Sequence, residues 1–184
     1  RSGEGSHSIS VSVTDAAGNT GSATHGITLS GNPPEFTLDP ISQDNVLNAQ
    51  EAMQPLSLSG TSNLPNGSAV TVTLNNVNYQ ATVENGRWSV QVPVSDVLDL
   101  ANTLYTVSVS GTDSVGNSGS AEANLLVDTV LPQVIVNTFA GDNLVNNAEA
   151  AVDQTLSGRV TGAAAGDTVS VTVGGKSYTA TVGS

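Results

Sequence analysis

The sequence has no cysteine, a single tryptophan and only four basic residues among its 184. Without cysteine there is neither a disulfide framework nor a thiolate metal site, so stability has to come from packing, turn chemistry or another kind of ligand. Four Lys plus Arg stand against sixteen Asp plus Glu, a formal net charge of -12. A chain so acidic has no surface for phosphates, and nucleic-acid binding is not expected. No stretch approaches the ~18 consecutive apolar residues of a membrane-spanning helix, so membrane insertion is not expected either. Arg1-Ser2-Gly3-Glu4 has none of the marks of a signal peptide, and the chain reads as a segment of a longer polypeptide.

Val, Thr, Ser, Ala, Gly and Asn recur throughout, while charged residues make up 11% and aromatics 3%. That composition favours short strands and turns over helices. Apolar residues reach 38%, so the polarity lies in hydroxyls and amides, and the pattern of a disordered chain is not met. The surplus carboxylates are hard oxygen ligands suited to a divalent cation, calcium above all; a solvated acidic surface is the other reading.

The strongest signal is internal repetition. Asp15-Ala16-Ala17-Gly18-Asn19 returns as Asp113-Ser114-Val115-Gly116-Asn117, an offset of 98. The same offset links Pro34 with Pro132, Asp44-Asn45 with Asp142-Asn143, Asn48 with Asn146, Glu51-Ala52 with Glu149-Ala150 and Leu58-Ser59-Gly60 with Leu156-Ser157-Gly158. After a one-residue insertion near Ala163 to Ala165 it becomes 99, pairing Val70 with Val169 and Tyr79 with Tyr178. Residues 1–31 are therefore the last third of one repeat, 32–129 a complete repeat and 130–184 the first half of another. The outer fragments hold complementary parts of one repeat, so pairing between the ends of neighbouring copies is a further expectation.

Alternation of apolar and polar residues divides the complete repeat into seven strands over roughly 35–39, 55–61, 68–75, 78–84, 87–92, 103–112 and 119–127. Seven short strands in about 100 residues is the count of an immunoglobulin-like sandwich, and the expected fold is all-β, in tandem copies. Asn85-Gly86 marks a tight hairpin, and Ser95 is placed to cap one helical turn over residues 96–101. If the strands alternate in direction, the loops at 62–67, 84–86 and 113–118 lie at the leading pole. Those at 40–54, 75–77 and 93–102, with Asp128, lie at the trailing pole.

Two acidic motifs thus fall where one repeat meets the next. Asp-x-x-Gly-Asn, at Asp15 and Asn19 and at Asp113 and Asn117, reads as a side-chain-stabilised turn or as cation ligands. Asp-Asn-x-x-Asn-x-x-Glu, with Asp44, Asn48 and Glu51 and again Asp142, Asn146 and Glu149, reads as a capping box or as a calcium site completed by Asp128. Asp96 or Asp99 would add a ligand there. The spacing is not that of an EF-hand loop.

Catalysis finds little footing. His7 and His25 map onto Tyr105 and Ala123, so no histidine recurs along the array and a repeated triad or zinc site is excluded. Asp96 and Asp99 form a carboxylate pair with no pocket marked around it. Gly174-Gly175-Lys176-Ser177 lacks the first glycine and the strand-to-helix setting of a phosphate loop, and it aligns with a hairpin.

Asp-x-x-Gly-Asn before the last strand, Asp128-Thr129-Val130-Leu131-Pro132 at the junction and Gly141-Asp142-Asn143 through Glu149-Ala150 resemble bacterial immunoglobulin-like repeats of giant adhesins and biofilm-associated surface proteins. The resemblance covers the whole chain. It implies a non-enzymatic, secreted or cell-surface spacer in cell adhesion and biofilm formation, exported by type I secretion and stiffened by structural Ca2+ at inter-repeat junctions. Its partners would be neighbouring repeats of the same chain, other copies in the biofilm matrix, and host-surface ligands. The alternative is a module whose loops recognise glycans or host proteins, in which case Trp88 would be exposed. One departure matters: Ser30 stands where the next junction has Asp128, followed by Pro33-Pro34, so that junction either binds calcium more weakly or is stiffened by proline.

Overall fold

The computed structural model describes residues 5–184. It forms two compact units, Arg1–Thr129 and Val130–Ser184. The first begins with β1 (Gly5–Thr14) and β2 (Thr20–Leu29), an antiparallel hairpin closed at Asp15 to Asn19. It continues through β3 (Val46–Asn48), β4 (Leu56–Thr61), β5 (Ala69–Leu74), β6 (Val77–Thr82), β7 (Arg87–Val92), the short helix α1 (Val94–Leu98), β8 (Leu104–Thr112) and β9 (Ser118–Asp128).

Residues 32–129 fold as a two-layer sandwich. One sheet has the order β3-β9-β8-β5-β6, and the other pairs β4 with β7. Every second residue points inward, as the period of a strand demands. Leu56 and Leu58 from β4 and Trp88 and Val92 from β7 face Val70, Val72 and Leu74 from β5, Val107 and Val109 from β8, and Leu125 and Val127 from β9. All are buried. Burying side chains of this size contributes about 1.5–3 kcal/mol each against exposure, which offsets the ordering of a chain without disulfides.

The expected strands are present to within two residues at each end except the first. Residues 35–39 form only an isolated bridge, Phe36 to Ser62, prolonged by Thr37 N–H donating to the Thr61 carbonyl at 3.0 Å and Asp39 N–H to that of Ser59 at 2.8 Å. Pro34 and Pro40, which have no N–H, bracket this segment and limit the ladder. The seventh strand is instead β3, inside the expected 40–54 loop, running parallel to β9 with Asn48 opposite Asp128. Leu47 anchors it, fully buried. Asn85 and Gly86 take φ of 51° and 76°, the left-handed pair a two-residue hairpin needs. The helical turn starts earlier than expected, after Pro93, and Ser95 makes no capping bond.

The second unit carries β10 (Gln133–Val136) paired with β11 (Gly158–Thr161), and β12 (Thr168–Val173) paired with β13 (Lys176–Thr181). Val134, Ile135, Val136 and Tyr178 are exposed in it. Among the described residues it has no counterpart of β3, which in the complete repeat exists by pairing with β9. The only helix longer than one 3-10 turn among the described residues is five residues long, and none is long and apolar enough to cross a membrane.

Candidate functional site

At the trailing pole of the complete repeat the chain between β3 and its flanking turns is organised by its own side chains. Asp44 Oδ1 accepts from Val46 N–H at 3.0 Å, and Asn45 Oδ1 accepts from Ile41 N–H at 2.9 Å, with Asn45 itself at φ 63°. Asn48 Oδ1 accepts from Gln50 and Glu51 N–H, both at 2.9 Å, while Glu51 Oε2 accepts from Asn48 N–H at 3.0 Å. That is a reciprocal capping box around the 3-10 turn Glu51–Met53.

The partial repeat reproduces this loop. Asp142 Oδ1 holds Leu144 N–H, Asn143 Oδ1 holds Phe139 N–H, and Asn146 with Glu149 close the same box at 2.9 to 3.1 Å. Because no equivalent of β9 is present there, the loop is a local property of its residues. The parallel register sets Asn48 beside Asp128, and Leu126 N–H donates to the Asn45 carbonyl, so Asp44, Asn48, Glu51 and Asp128 share the pole. Sequence reasoning missed Asn102, whose Oδ1 accepts from both Thr129 N–H at 2.6 Å and Thr129 Oγ1 at 2.9 Å and so tethers the departing chain. Its place in the expected 93–102 loop is the only signal it had.

Asp96 is used elsewhere. Its Oδ2 accepts from the Tyr79 hydroxyl at 2.8 Å, and partial burial with the nearby carboxylate pushes the Tyr79 phenol up to about 12. Asp99 lies in the same shallow groove, with Leu74 and Leu100.

At the leading pole, Asp113 Oδ1 accepts from Val115 N–H at 3.0 Å and Asn117 N–H at 2.8 Å, and its Oδ2 from Asn117 Nδ2 at 2.8 Å. Gly116 supplies the left-handed residue, φ 96°. Partial desolvation raises the Asp113 carboxyl, but the Asn117 amide and the surrounding N–H groups outweigh it and leave it below the ordinary value. Asp15 and Asn19 build the same turn at 2.9 Å, and there the Asn19 side chain is the main reason the carboxyl is lowered. Asn117 reaches further than Asn19: its Nδ2 also donates to the Ser30 carbonyl at 3.0 Å.

The polar groups at both poles are oxygens, hard donors that fit calcium better than softer metals. Among the described residues no three His, Asp or Glu side chains come close enough to hold a metal ion by themselves. A cation at either pole would therefore draw on amide and backbone carbonyl oxygens as well as carboxylates.

An ion pair that the sequence did not announce joins Arg87 to Asp39 across the sheet edge, with the Ser59 hydroxyl donating to the same carboxylate oxygen at 2.7 Å. The Ser59 bond is the main reason that the Asp39 carboxyl is lowered; burial opposes it, and Arg87 adds to it.

No protein-family model matches the sequence, and no curated protein matches it. Solved structures do. One, described as a Ca2+-stabilized adhesin that helps an Antarctic bacterium reach out and bind ice, shares 34% identity over 97% of this chain and 46% of its own, at a TM-score of 0.49. A second, from a 1.5-MDa bacterial ice-binding adhesin studied for host cell surface retention, shares 33% identity over 98% of this chain and 61% of its own, at 0.51. A third, a bacterial immunoglobulin-like domain of the M. primoryensis ice-binding adhesin, shares 33% identity over 53% of this chain and 100% of its own, at 0.41. The chain spans about half the length of the first two. With a repeated sandwich sequence and identity sustained over nearly its whole length, the chain belongs to the bacterial immunoglobulin-like repeats of large adhesins.

Proposed function

We propose that this chain is a spacer in a large surface adhesin: repeats 1–31, 32–129 and 130–184 belong to one tandem array that carries a distant adhesive or matrix-forming part away from the cell and serves adhesion and biofilm formation. The observation that carries the reading is the arrangement of the complete repeat, whose Trp88 is 1% exposed and whose acidic motifs lie at its two ends. Trp88 offers no platform for stacking a sugar, which removes the main feature that would favour glycan recognition. The reading is non-enzymatic, in keeping with the large adhesin to which the chain is similar.

In this reading calcium binds at the trailing pole, drawing on Asp44, Asn48, Glu51 and Asp128, with Asp142 and Glu149 as the next repeat's copies. Support comes from the all-oxygen donor set, from the loop geometry shared by two repeats, and from the Ca2+-stabilized adhesin to which the chain is similar. Ligand at 100 times its Kd stabilises a native state by about 2.7 kcal/mol. The test is a calcium titration of the 184-residue chain followed by melting, with chelator as control. A rise in Tm that Asp128→Ala abolishes is expected; a Tm indifferent to calcium and chelator defeats the calcium assignment.

A further inference from the structure

The junction at residues 30–34 is built from different parts. Ser30 replaces the linker carboxylate found at Asp128, and yet its carbonyl is already held, by the side chain of Asn117 eighty-seven residues later. The orientation of that side chain follows from its neighbours. Ser30 O and Asp113 Oδ2 are both acceptors, so only the NH2 end of the Asn117 amide satisfies them, one hydrogen to each. Asp113 Oδ1 in turn takes two backbone N–H groups.

Two residues further on, Gly119 makes the second contact. A Cβ at this position would stand 1.8 Å from the Pro34 carbonyl oxygen and 2.7 Å from its carbon, so only glycine lets the arriving backbone lie against β9. Pro34 is itself buried. Pro33 and Pro34 have φ set near -65° by their rings, which takes those two torsions out of the span between the held carbonyl and the seated one. The turn that aims Asn117 is closed by its own residues, and Asp15 to Asn19 forms it too.

We propose that the Asp113–Gly119 segment is a docking surface for the chain leaving the preceding repeat, and that it closes the 30–34 junction by hydrogen bonding and steric fit, without a cation. Its partner is an extended linker of the form Ser-Gly-Asn-Pro-Pro, recognised through one backbone carbonyl and one proline. Asn117 is the positioning residue and Gly119 the seat. A carboxylate linker residue, as at Asp128, would belong to the other, calcium-dependent kind of junction, so one array would contain stiff joints that respond to calcium and stiff joints that do not.

Backbone 15N relaxation of the full 184-residue chain tests this at Ser30, Gly31, Asn32 and Glu35, in chelator and in calcium. In chelator, these amides are expected to be as rigid as those of Val107, Val109 and Leu125. The Asn117→Ala and Gly119→Ala variants are each expected to lower the heteronuclear NOE at Ser30 to Asn32 toward that of a free linker, in both buffers, while the three core amides keep their values. Rigidity that appears only with calcium overturns the proposal, as does an Asn117→Ala variant whose linker stays rigid. Should Asn117→Ala disturb the core amides, Gly119→Ala decides, since it leaves the Asp113 turn intact. None of these readings depends on the trailing pole, so the calcium assignment there stands or falls separately.

Discussion

Replacing Gly60 with alanine tests whether the first segment of the repeat is held by close approach rather than by a strand ladder. The backbone of Gly60 lies outside the left-handed region, so alanine meets no conformational penalty there. Its Cβ would stand 1.8 Å from the Thr37 carbonyl oxygen, 2.7 Å from the Thr37 carbon and 2.9 Å from Trp88 Cζ2. Residues 37–39 must retreat, and the bonds from Thr37 N–H to Thr61 O and from Asp39 N–H to Ser59 O go with them. Two backbone bonds at about 1 kcal/mol each, plus overpacking of about 1–3 kcal/mol, make a loss of about 3–5 kcal/mol, a large part of a domain's ~5–15 kcal/mol. Denaturant unfolding followed by Trp88 fluorescence reads it directly, since Trp88 is the sole tryptophan and touches the new methyl group. Gly67→Ala serves as comparison: φ there is 84° with nothing within 4 Å, so only a backbone cost of roughly 1 kcal/mol applies. Equal losses for the two variants, with the native fluorescence unchanged in Gly60→Ala, would refute the reasoning.

Glu51→Gln should keep the capping box, because a glutamine oxygen accepts from Asn48 N–H as well, and should abolish any calcium-dependent rise in Tm; Asn48→Ala should instead cost about 1 kcal/mol in chelator. Both are read from melting curves with and without calcium, and a full calcium response in Glu51→Gln would remove Glu51 from the ligand set. Tyr79 is raised to about 12 from an unfolded value of ~10, so its neutral form is favoured by folding. Its contribution is complete below about pH 10 and disappears as pH rises through 12. Absorbance titration should show a tyrosinate step near 12 that Tyr79→Phe lacks. Asp39 is lowered, mainly by the Ser59 hydroxyl, so its contribution is present above about pH 4 and lost as pH falls through its folded value. Ser59→Ala should begin acid unfolding at higher pH than the wild type; superimposable curves count against the bond.

Much of this chain was legible from residue spacing. The 98-residue offset is a property of the residues alone, period-two alternation located six of the seven strands, and turn chemistry located the loops. Those features are local: the Asp44 to Glu51 loop and the Asp113 to Asn117 turn are closed by side chains bonding backbone within four residues, and both recur in fragments that lack the rest of the sandwich. Both readings of the acidic motifs were visible beforehand, and the structure displays their turn-forming half.

The remainder depended on segments far apart in the chain. β3 forms because β9 offers it a parallel edge, which no pattern within residues 40–54 records. Arg87 meets Asp39 across 48 residues, Asn102 catches Thr129 across 27, and Asn117 catches Ser30 across 87. At Gly60 and Gly119 only packing shows a neighbouring carbonyl in the space that a methyl group would fill. Sequence determined the elements and the chemistry they carry, because hydrogen bonds within a turn need only adjacent residues. Tertiary structure decided which edges meet and how the chain passes from one repeat into the next, because those contacts exist only once the two layers have closed on their common core.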